Sequence, residues 1–501
     1  MGRGRGNVAE HLPQVDNFHV LNALEKEAQA LNVAHQVGGQ RAKWEKNRQQ
    51  RREEENRDDN DARRRKYSRT EKRERRITVI PDVVTPENCR DVLRRGAEPL
   101  HDHDYESQLG IKRSRNEDAA AAVKAAIGQE SDVATAETVP SPLTRGYRSC
   151  STFRVGTSVD GSENTAGYFV RSGESGAFCL PPDNLVSLRS SHKLVCETYQ
   201  AAIRKSQLQA CRGAGSQEPG YWRDIAVKSN GSGEILAVVN FHPQGMGADE
   251  LAGVKDGLAS VFQSQCPAVR SLYLRPSAAR NASPAEAPAE LLYGEPFLEE
   301  TVGGLLRMRL GPDTLPLPNP SVARPFIDVV RRQLKLGRGG GGGGVLLDLS
   351  CKYGGMFPLA AAGAASKCYV FGDEVNLSEA MYNAADNGVY NCVFSEAALN
   401  GPVLRSLLRD TRATSGSISV LVTAAKSALD FGVIRALRIH DKVRRIVYVS
   451  GKPDGGHAMA NFAALSAVRE GAGKQFKLSS VIPIDTLPNT RHCEHVLTWT
   501  R

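Results

Sequence analysis

One short stretch, residues 345–355, constrains the fold of this chain more than any other. Its first five residues are apolar except for Asp348, as in a strand that is buried on both faces of a parallel sheet. A turn with Gly354 and Gly355 follows, and then come small apolar residues at 359–363 that suit a helix packed closely against a sheet. In a doubly wound sheet, this first crossing from strand to helix is where a nucleotide-like cofactor binds. The stretch therefore predicts an α/β domain with a doubly wound sheet.

The turn itself departs from the pattern that a cofactor loop requires. Such a loop needs two or three glycines, because its backbone must approach the ligand closely. Lys352 stands where the first glycine is expected, and Phe357 stands where the last is expected. The sequence thus predicts that the architecture is retained and that the active site is lost.

Beyond residue 345, strand patterns alternate with helical patterns, which predicts a mostly parallel α/β sheet. We expect strands at 345–349, 368–372, 391–394, 418–422 and 445–450. We expect helices at 356–364, 376–386, 432–438 and 456–469. Two further strands complete the pattern, at 476–484 and 494–500.

Residues 139–290 have a different texture, with alternating or apolar strands separated by turns and with helical patterns near 192–207 and 248–264. They predict a mixed α+β domain. The domain offers cations and flat rings, which suit phosphates and unstacked bases, at Arg145, Tyr147, Arg148, Trp222 and Arg223. For each residue taken singly, an ordinary role on the surface or in the core stays open.

The N-terminal part of the chain carries most of the basic excess. The net charge is +9, and residues 41–76 hold 16 Lys and Arg against 9 Asp and Glu. This segment buries too little apolar surface to fold alone, so it is either a solvated, transient helix or an arm that binds RNA or protein. Helical spacing of Leu21, Leu24, Ala28 and Leu31 predicts an amphipathic helix at 18–37. Residues 77–138 are transitional, with a helix expected at 117–127.

Composition excludes several classes of protein. Ten cysteines are scattered without a CxxC pair, which argues against a zinc site, another metal site or a disulfide framework. No apolar run approaches the roughly 18 residues of a membrane helix, so we expect no membrane partner. The basic start of the chain does not by itself identify a transit peptide.

Several separated stretches together suggest a family. They are Pro140–Phe153, Gly220–Arg223, Phe241–Gln244, Leu292–Pro296, Arg309–Asp313, Leu347–Cys351, Asn383–Asn387, Tyr448–Ser450 and Asp485–Glu494. In this order and spacing the chain resembles the RNA uracil-5-methyltransferases, which act on tRNA and ribosomal RNA, and in particular their mitochondrial branch. The resemblance implies a class I (Rossmann-like) methyltransferase domain, which typically ends in an antiparallel pair of strands. It also implies S-adenosylmethionine as the family's cofactor.

The resemblance also implies a mechanism. In this family a cysteine thiolate attacks carbon 6 of uracil, carbon 5 takes the methyl group, and a carboxylate base removes the proton from carbon 5. Gly451 stands at the position of that cysteine, and Glu494 matches the base. Asp348 and Gly354 match the family's cofactor loop, and Glu374 is placed to accept hydrogen bonds from a ribose.

Two further family motifs are changed. Residues 423–426 read Thr-Ala-Ala-Lys where the family has Asp-Pro-Pro-Arg, and residues 315–317 read Leu-Pro-Leu where it has Phe-Phe-Gln. We therefore expect no intact catalytic residue and no bound cofactor, with residual S-adenosylmethionine binding left open. Cys493 follows the opposite alternation to Glu494 along a strand, so it is a poor substitute nucleophile.

These observations favour a non-catalytic RNA-binding protein on a methyltransferase scaffold. It would bind ribosomal RNA as a mitochondrial ribosome assembly factor or ribosome-associated component, with ribosomal or assembly proteins bound through residues 18–76. The alternatives are an active S-adenosylmethionine-dependent RNA uracil-5-methyltransferase acting on tRNA or ribosomal RNA, a protein scaffold whose arm at 18–76 recruits a partner, and a cytoplasmic or nuclear location. The expected division is an arm at 1–76, a linker at 77–138, a central domain at 139–290 and a methyltransferase-like domain at 291–501.

Overall fold

The computed structural model describes residues 83–128, 133, 135–172, 176–210, 220–279, 282–337, 343–396, 399–411, 416–423, 428–468, 471 and 473–501. All of these residues lie in a unit that extends from Ile80 to Arg501. The amphipathic helix expected at 18–37 and the charged segment at 41–76 lie outside the described residues.

Two helices occupy the segment for which the sequence predicts a linker. They are α1 (Cys89–Ala97) and α2 (Tyr105–Ile127). Asp104 caps the start of α2 by accepting a hydrogen bond from the Ser107 amide, and Gly128 ends the helix in the left-handed conformation. The helix expected at 117–127 is thus the second half of a helix of 23 residues. Residues 89–127 of the expected linker therefore consist largely of helix.

The central part of the chain forms a seven-stranded sheet with two helices. The strands are β1 (Cys150–Gly156), β2 (Thr165–Ser172), β3 (Gly176–Leu180), β4 (Trp222–Ser229), β5 (Ile235–Phe241), β6 (Val269–Pro276) and β7 (Glu290–Gly294). The helices are α3 (Ser190–Lys205) and α4 (Ala248–Gln265). The sheet order is β3-β2-β1-β4-β5-β6-β7, and only β5 and β6 run parallel. This is the mixed α+β arrangement that the sequence predicts.

A two-stranded hairpin follows, formed by β8 (Leu298–Val302) and β9 (Leu306–Leu310). The remainder of the chain forms a second seven-stranded sheet and its helices. The strands are β10 (Val345–Asp348), β11 (Lys367–Phe371), β12 (Cys392–Ser395), β13 (Ile418–Thr423), β14 (Val443–Ser450), β15 (Lys477–Ile484) and β16 (Glu494–Thr500). The helices are α5 (Ala323–Leu334), α6 (Met356–Ala362), α7 (Glu374–Asp386), α8 (Gly401–Asp410), α9 (Phe431–Ile439) and α10 (Gly456–Ser466).

The second sheet has the order β12-β11-β10-β13-β14-β16-β15. The first five strands are parallel, and β16 runs antiparallel between β14 and β15. Numbered within the domain this is 3-2-1-4-5-7-6, so the expected parallel sheet and its closing antiparallel pair are confirmed. The order in which strands are added to the sheet reverses at β10. The crevice at the carboxyl end of β10 is the usual ligand position in such sheets.

Both faces of this sheet are covered, which explains the apolar strands. Val345 and Leu347 belong to one buried cluster, while Leu346 belongs to the other, because alternate side chains point to opposite faces. Helices α5, α6 and α7 cover one face. Helices α8, α9 and α10 cover the other, together with the second half of α2. Helix α2 thus completes the core around a sheet whose first strand, β10, is distant from it in the sequence.

Candidate functional site

The loop after β10 has an unusual backbone. Tyr353, Gly354 and Gly355 follow one another with φ of 51°, 58° and 81°. A Cβ atom on Gly354 would lie 2.8 Å from Nδ2 of Asn383 and 3.0 Å from Cε of Met308. Glycine is therefore required at 354 both by the left-handed backbone and by the lack of space. The match of this glycine to the family is accounted for by packing within the protein.

Lys352, which replaces the expected first glycine, bridges the ends of two strands. Its Nζ lies 3.2 Å from Oδ2 of Asp373, which follows Gly372 after β11, and its side chain is only 14% exposed. Asp373 also caps α7 by accepting a hydrogen bond from the Asn376 amide. The lysine side chain thus lies across the edge of the sheet where a cofactor loop normally leaves its backbone open.

Aromatic side chains fill the space beneath the loop. The ring of Phe357 is buried and packs edge-on against Phe326 of α5, with 4.9 Å between ring centroids. Tyr353 lies 6.3 Å from Phe357 on the other side. Glu374 remains exposed in the first turn of α7, where an acidic group for a ribose is expected. Apart from that carboxylate, the loop residues do not fit S-adenosylmethionine as a glycine-rich loop would.

Asp348 lies at the carboxyl end of β10 and is 1% exposed. Its Oδ1 accepts a hydrogen bond from the Ser350 amide at 3.1 Å, and burial raises its pKa to about 7. Ser350 Oγ in turn accepts from the Thr423 amide and donates to the Thr423 carbonyl, which joins the ends of β10 and β13. Residues 424–426, which complete the changed Asp-Pro-Pro-Arg motif, lie outside the described residues.

Gly451 directly follows β14, at the position of the family's nucleophile. A Cβ atom there would lie 2.6 Å from Cε1 of His492 and 2.8 Å from Oε1 of Glu494. These distances are shorter than van der Waals contact, so the two side chains occupy the space that a nucleophile would need. Nε2 of His492 lies 3.3 Å from Oε1 of Glu494. The sequence motif identified Glu494, but it did not single out His492 as the second group in this space.

Glu494 is the first residue of β16, and its side chain is largely buried. Oε2 is buried and makes no hydrogen bond within the described part of the chain, and the side chain is 13% exposed. The neighbouring Cys493 points away and lies 3.7 Å from Nδ2 of Asn116 in α2. Burial raises the pKa of the Cys493 thiol to about 11, so this thiol stays protonated at neutral pH.

Two of the family motifs meet in space, which sequence order alone did not reveal. Nδ2 of Asn383 donates to the Gly354 carbonyl at 2.9 Å, and its Oδ1 accepts from the Arg309 amide at 2.9 Å. Asn387 pairs in the same way with the backbone of Arg307. The amide side chains of α7 therefore fix both the hairpin and the altered loop, and the shared residues at 309–313 and 383–387 have a structural role.

Two of the expected RNA-binding aromatic residues are in the core. Tyr147 is 1% exposed, and its hydroxyl donates to the Pro488 carbonyl at 2.8 Å. Trp222 is 3% exposed and packs edge-on against Phe241 at 4.9 Å. Neither ring has a free face on which a base could stack, so the expectation is wrong for these two residues.

The three arginines of that set differ in their surroundings. Arg223 donates to the carbonyls of Ala278 and Ala279 at 2.7 Å each, so it fastens the loop after β6 instead of facing a ligand. Arg145 is exposed in the loop before β1, and Arg148 is half-buried three residues later. These two remain the candidates for contact with a phosphate in this region.

The described residues contain no group of three or more His, Cys, Asp or Glu side chains that could hold a metal ion. Within the same ranges, no helix combines the length and the apolar character needed to cross a membrane.

Proteins from several organisms resemble this chain over most of its length. No family model matches the chain. The zebrafish (Danio rerio) protein "tRNA (uracil-5-)-methyltransferase homolog B" is 33% identical over 371 residues, which cover 72% of this chain and 75% of that protein. The human protein "tRNA (uracil-5-)-methyltransferase homolog A" is 28% identical over 378 residues, or 72% of this chain and 57% of that protein.

A solved structure has a similar fold. It is the Pyrococcus abyssi tRNA (uracil-54, C5)-methyltransferase in complex with S-adenosyl-L-homocysteine. The TM-score is 0.56 at 16% sequence identity, and the likeness covers 80% of this chain and 85% of that one. The α/β fold with a class I methyltransferase domain is thus confirmed. By its identity to the homolog B proteins and the length over which it extends, the chain belongs to the tRNA (uracil-5-)-methyltransferase family.

Proposed function

We propose that this protein binds RNA without methylating it. The RNA that it binds is ribosomal RNA, and the protein is an assembly factor or component of the mitochondrial ribosome. The observation that carries the proposal is Gly451, which lacks a nucleophile and whose free space is filled by His492 and Glu494. Without a covalent bond to carbon 6, carbon 5 of uracil is too weak a nucleophile to accept a methyl group.

The state of the cofactor loop supports the same proposal. Lys352 is held by Asp373 across the strand ends, and Phe357 is part of the core. Both the methyl donor and the nucleophile would therefore need rearranged surroundings. A change confined to one of the two would be easier to reconcile with a modified mechanism than changes in both.

The retained parts of the molecule also support it. Asn383, Asn387 and Arg309 keep the hairpin, α7 and the loop in register, although the loop lacks its usual chemistry. The names of the relatives refer to tRNA, and a scaffold that bound RNA before is a ready platform for RNA binding without catalysis. The mitochondrial location follows from the resemblance to the mitochondrial branch, and residues 18–76 are the proposed contact with ribosomal or assembly proteins.

The first test is sedimentation of the tagged full-length protein from cell extract, with and without RNase. We expect it to migrate with a ribosomal subunit or subunit precursor and to leave that fraction after RNase treatment. Migration as a free protein of 54.2 kDa in both samples would overturn the ribosomal part of the proposal.

Enzymatic activity is tested separately with tritiated S-adenosylmethionine and unmodified transcripts of tRNA and ribosomal RNA. We expect no methyl incorporation by the wild-type protein or by Gly451→Cys, because the cofactor loop is changed as well and the added side chain would have to displace His492 and Glu494. An active member of the family serves as the positive control. Incorporation at uracil carbon 5 by the wild-type protein would overturn the non-catalytic proposal.

A second candidate, an active methyltransferase with a changed mechanism, is favoured by Glu494 and Glu374. Oε2 of Glu494 has no hydrogen bond within the described ranges, and Glu374 is exposed at the ribose position. Calorimetry separates the two candidates. Micromolar binding of S-adenosylmethionine would support the second, and Glu374→Gln should then weaken that binding.

A further inference from the structure

The two ends of the second sheet differ in charge. At the carboxyl ends of the parallel strands, the exposed carboxylates of the described residues include those of Asp373, Glu374, Glu396, Asp430 and Asp454. Lys352 is already paired with Asp373 there, and the exposed cations close to Gly451 in the described ranges are Lys452 and Arg491. The candidate catalytic edge therefore carries an excess of negative charge, which is unfavourable for a polyanion.

The opposite end of the sheet is basic. Four exposed cations lie on this side: Arg435 in the middle of α9, Arg444 at the start of β14, and Lys474 and Lys477 before and at the start of β15. We call these four residues the basic edge. None of them forms an ion pair with a described residue. Asp441 is the only acidic side chain in the described segments 431–445 and 473–477.

The side chain of Arg501 shows that these segments lie together. Its guanidinium donates to the carbonyls of Leu437 at 3.1 Å and of Val443 at 2.7 Å. It also reaches the Lys474 carbonyl at 3.4 Å and stacks on Phe476 with 4.5 Å to the ring centroid. One arginine thus gathers the end of α9, the start of β14 and the approach to β15 around itself.

Neighbouring cations affect even this structural arginine. Burial and then the charge of Arg444 lower the pKa of Arg501 to about 10, against the opposing charge of Asp441. Arg438, buried at the end of α9, acts in the same direction and gives its own hydrogen bonds to the backbone carbonyls of Ala464 and Ala467. Carbonyl oxygens carry no net charge, so the fold supplies little compensation for the cations of the basic edge.

We propose that structured RNA binds through its phosphates to the basic edge, at the end of the sheet opposite to Gly451. This inference rests on the proposed RNA-binding function and adds the face that the RNA contacts. A polyanion neutralises several exposed cations at once and releases the counterions that they and the phosphates hold. RNA bound in this way lies away from the former catalytic edge, so binding does not require that edge to be open or intact.

The test compares two charge-reversal variants of the full-length protein. The first carries Arg435→Glu, Arg444→Glu and Lys474→Glu. The control carries Arg115→Glu, Lys124→Glu and Lys205→Glu, which change the net charge equally at helical cations that form no ion pair with described residues. The probe is a fluorescein-labelled transcript of structured ribosomal RNA, and its dissociation constant is measured by anisotropy from 50 to 300 mM KCl.

We expect the first variant to bind RNA at least about tenfold more weakly than wild type at 150 mM KCl. The slope of log binding constant against log salt concentration should become shallower by about 2–3, since each phosphate contact contributes roughly 0.9. The control should stay within about threefold of wild type. Should the first variant fail to fold, Arg435→Gln, Arg444→Gln and Lys474→Gln replace it, with a reduced slope expected again. Crosslinked peptides should come from 435–445 and 473–477 and not from the neighbourhood of Gly451.

The outcomes separate this inference from the function on which it rests. If wild type binds no RNA, both fail. If wild type binds and the first variant resembles the control, RNA binding stands and the basic edge is overturned as its site. If poly-L-glutamate displaces the RNA as well as unlabelled RNA does at equal charge, the basic edge is a site for an acidic protein, and the inference is wrong.

Discussion

Asp348 keeps its place at the end of β10, although the loop beside it no longer suits a cofactor. Burial without a hydrogen bond to Oδ2 in the described chain raises its pKa to about 7 from 3.8. In the folded protein the proton therefore stays on Asp348 at pH values where the unfolded chain has lost it. Protonated Asp348 therefore contributes to the free energy of unfolding at low pH. This contribution falls as the pH rises from about 4 to about 7 and does not change further above that.

Asp348→Asn should remove this pH-dependent loss. We expect the variant to gain stability relative to wild type between pH 5 and pH 8. The gain in its free energy of unfolding should be about 2–3 kcal/mol. Thermal melts at both pH values measure it, with the exposed-site variant Glu374→Gln as the control. A difference that is the same at pH 5 and pH 8 would show that Asp348 is ionised in the folded protein.

Single residues also mark the limits of sequence reasoning about the site. Two separate motifs, around Gly451 and at 485–494, were sufficient to locate the missing nucleophile and Glu494, because each motif is local in sequence. Tyr147 and Trp222 were misassigned because ring chemistry is the same for a base-stacking residue and a core residue, and only burial distinguishes them. His492 was missed because its role depends on contact with Gly451, which is distant in sequence.

At the scale of elements, the loop after β10 depends on its contacts with α7 and β9. Gly354→Ala would place Cβ 2.8 Å from Nδ2 of Asn383, so Asn383 would have to give up its bond to the loop. We expect a loss of about 3 kcal/mol in stability from strain and the broken hydrogen bond.

Gly388→Ala is the matched control, because Gly388 has a φ of 65° but no atom lies within 4 Å of the position that a Cβ would occupy. It should cost only about 1–2 kcal/mol, the strain of a left-handed alanine. Chemical denaturation of both variants measures the difference. Equal losses would mean that the contact with Asn383 does not stabilise the loop.

Elements with a clear apolar period were predictable, and those without one were not. The strands of the second sheet were placed to within about two residues, because each is an apolar run between turn signals. The first half of α2 was missed because its buried face is polar, formed by Gln108, Lys112 and Asn116. Helix α8 was missed as well, although Asn400 caps it and Leu404 and Leu408 face the core.

At the scale of the whole molecule, α2 is tied to the segment that contains Glu494. Nζ of Lys112 lies 2.5 Å from Oδ1 of Asp485, and both side chains are fully buried. Tyr105 donates to the other oxygen of Asp485, and Gln108 and Asn489 exchange hydrogen bonds beside them. The N-terminal helix and the C-terminal strand pair therefore stabilise each other.

Lys112→Met should destabilise the protein by about 3–5 kcal/mol, because it leaves the Asp485 carboxylate buried and without its cation. Lys112→Met combined with Asp485→Asn should recover part of that loss, since no charge then remains in the core. Urea denaturation of both variants and wild type measures the effect. If Lys112→Met unfolds at the same urea concentration as wild type, the ion pair is unimportant for stability.

The same contact bears on how the protein folds during synthesis. Lys112 is made 373 residues before Asp485. At a translation rate of about 5–20 residues per second, α2 must wait roughly 20–70 s for its partner to be made. During that interval, the half of α2 formed by Ala120, Val123 and Ile127 lacks the sheet that later covers it. We expect such an exposed apolar face to attract chaperones on the growing chain, and we expect α2 to dock only after the sheet has been made.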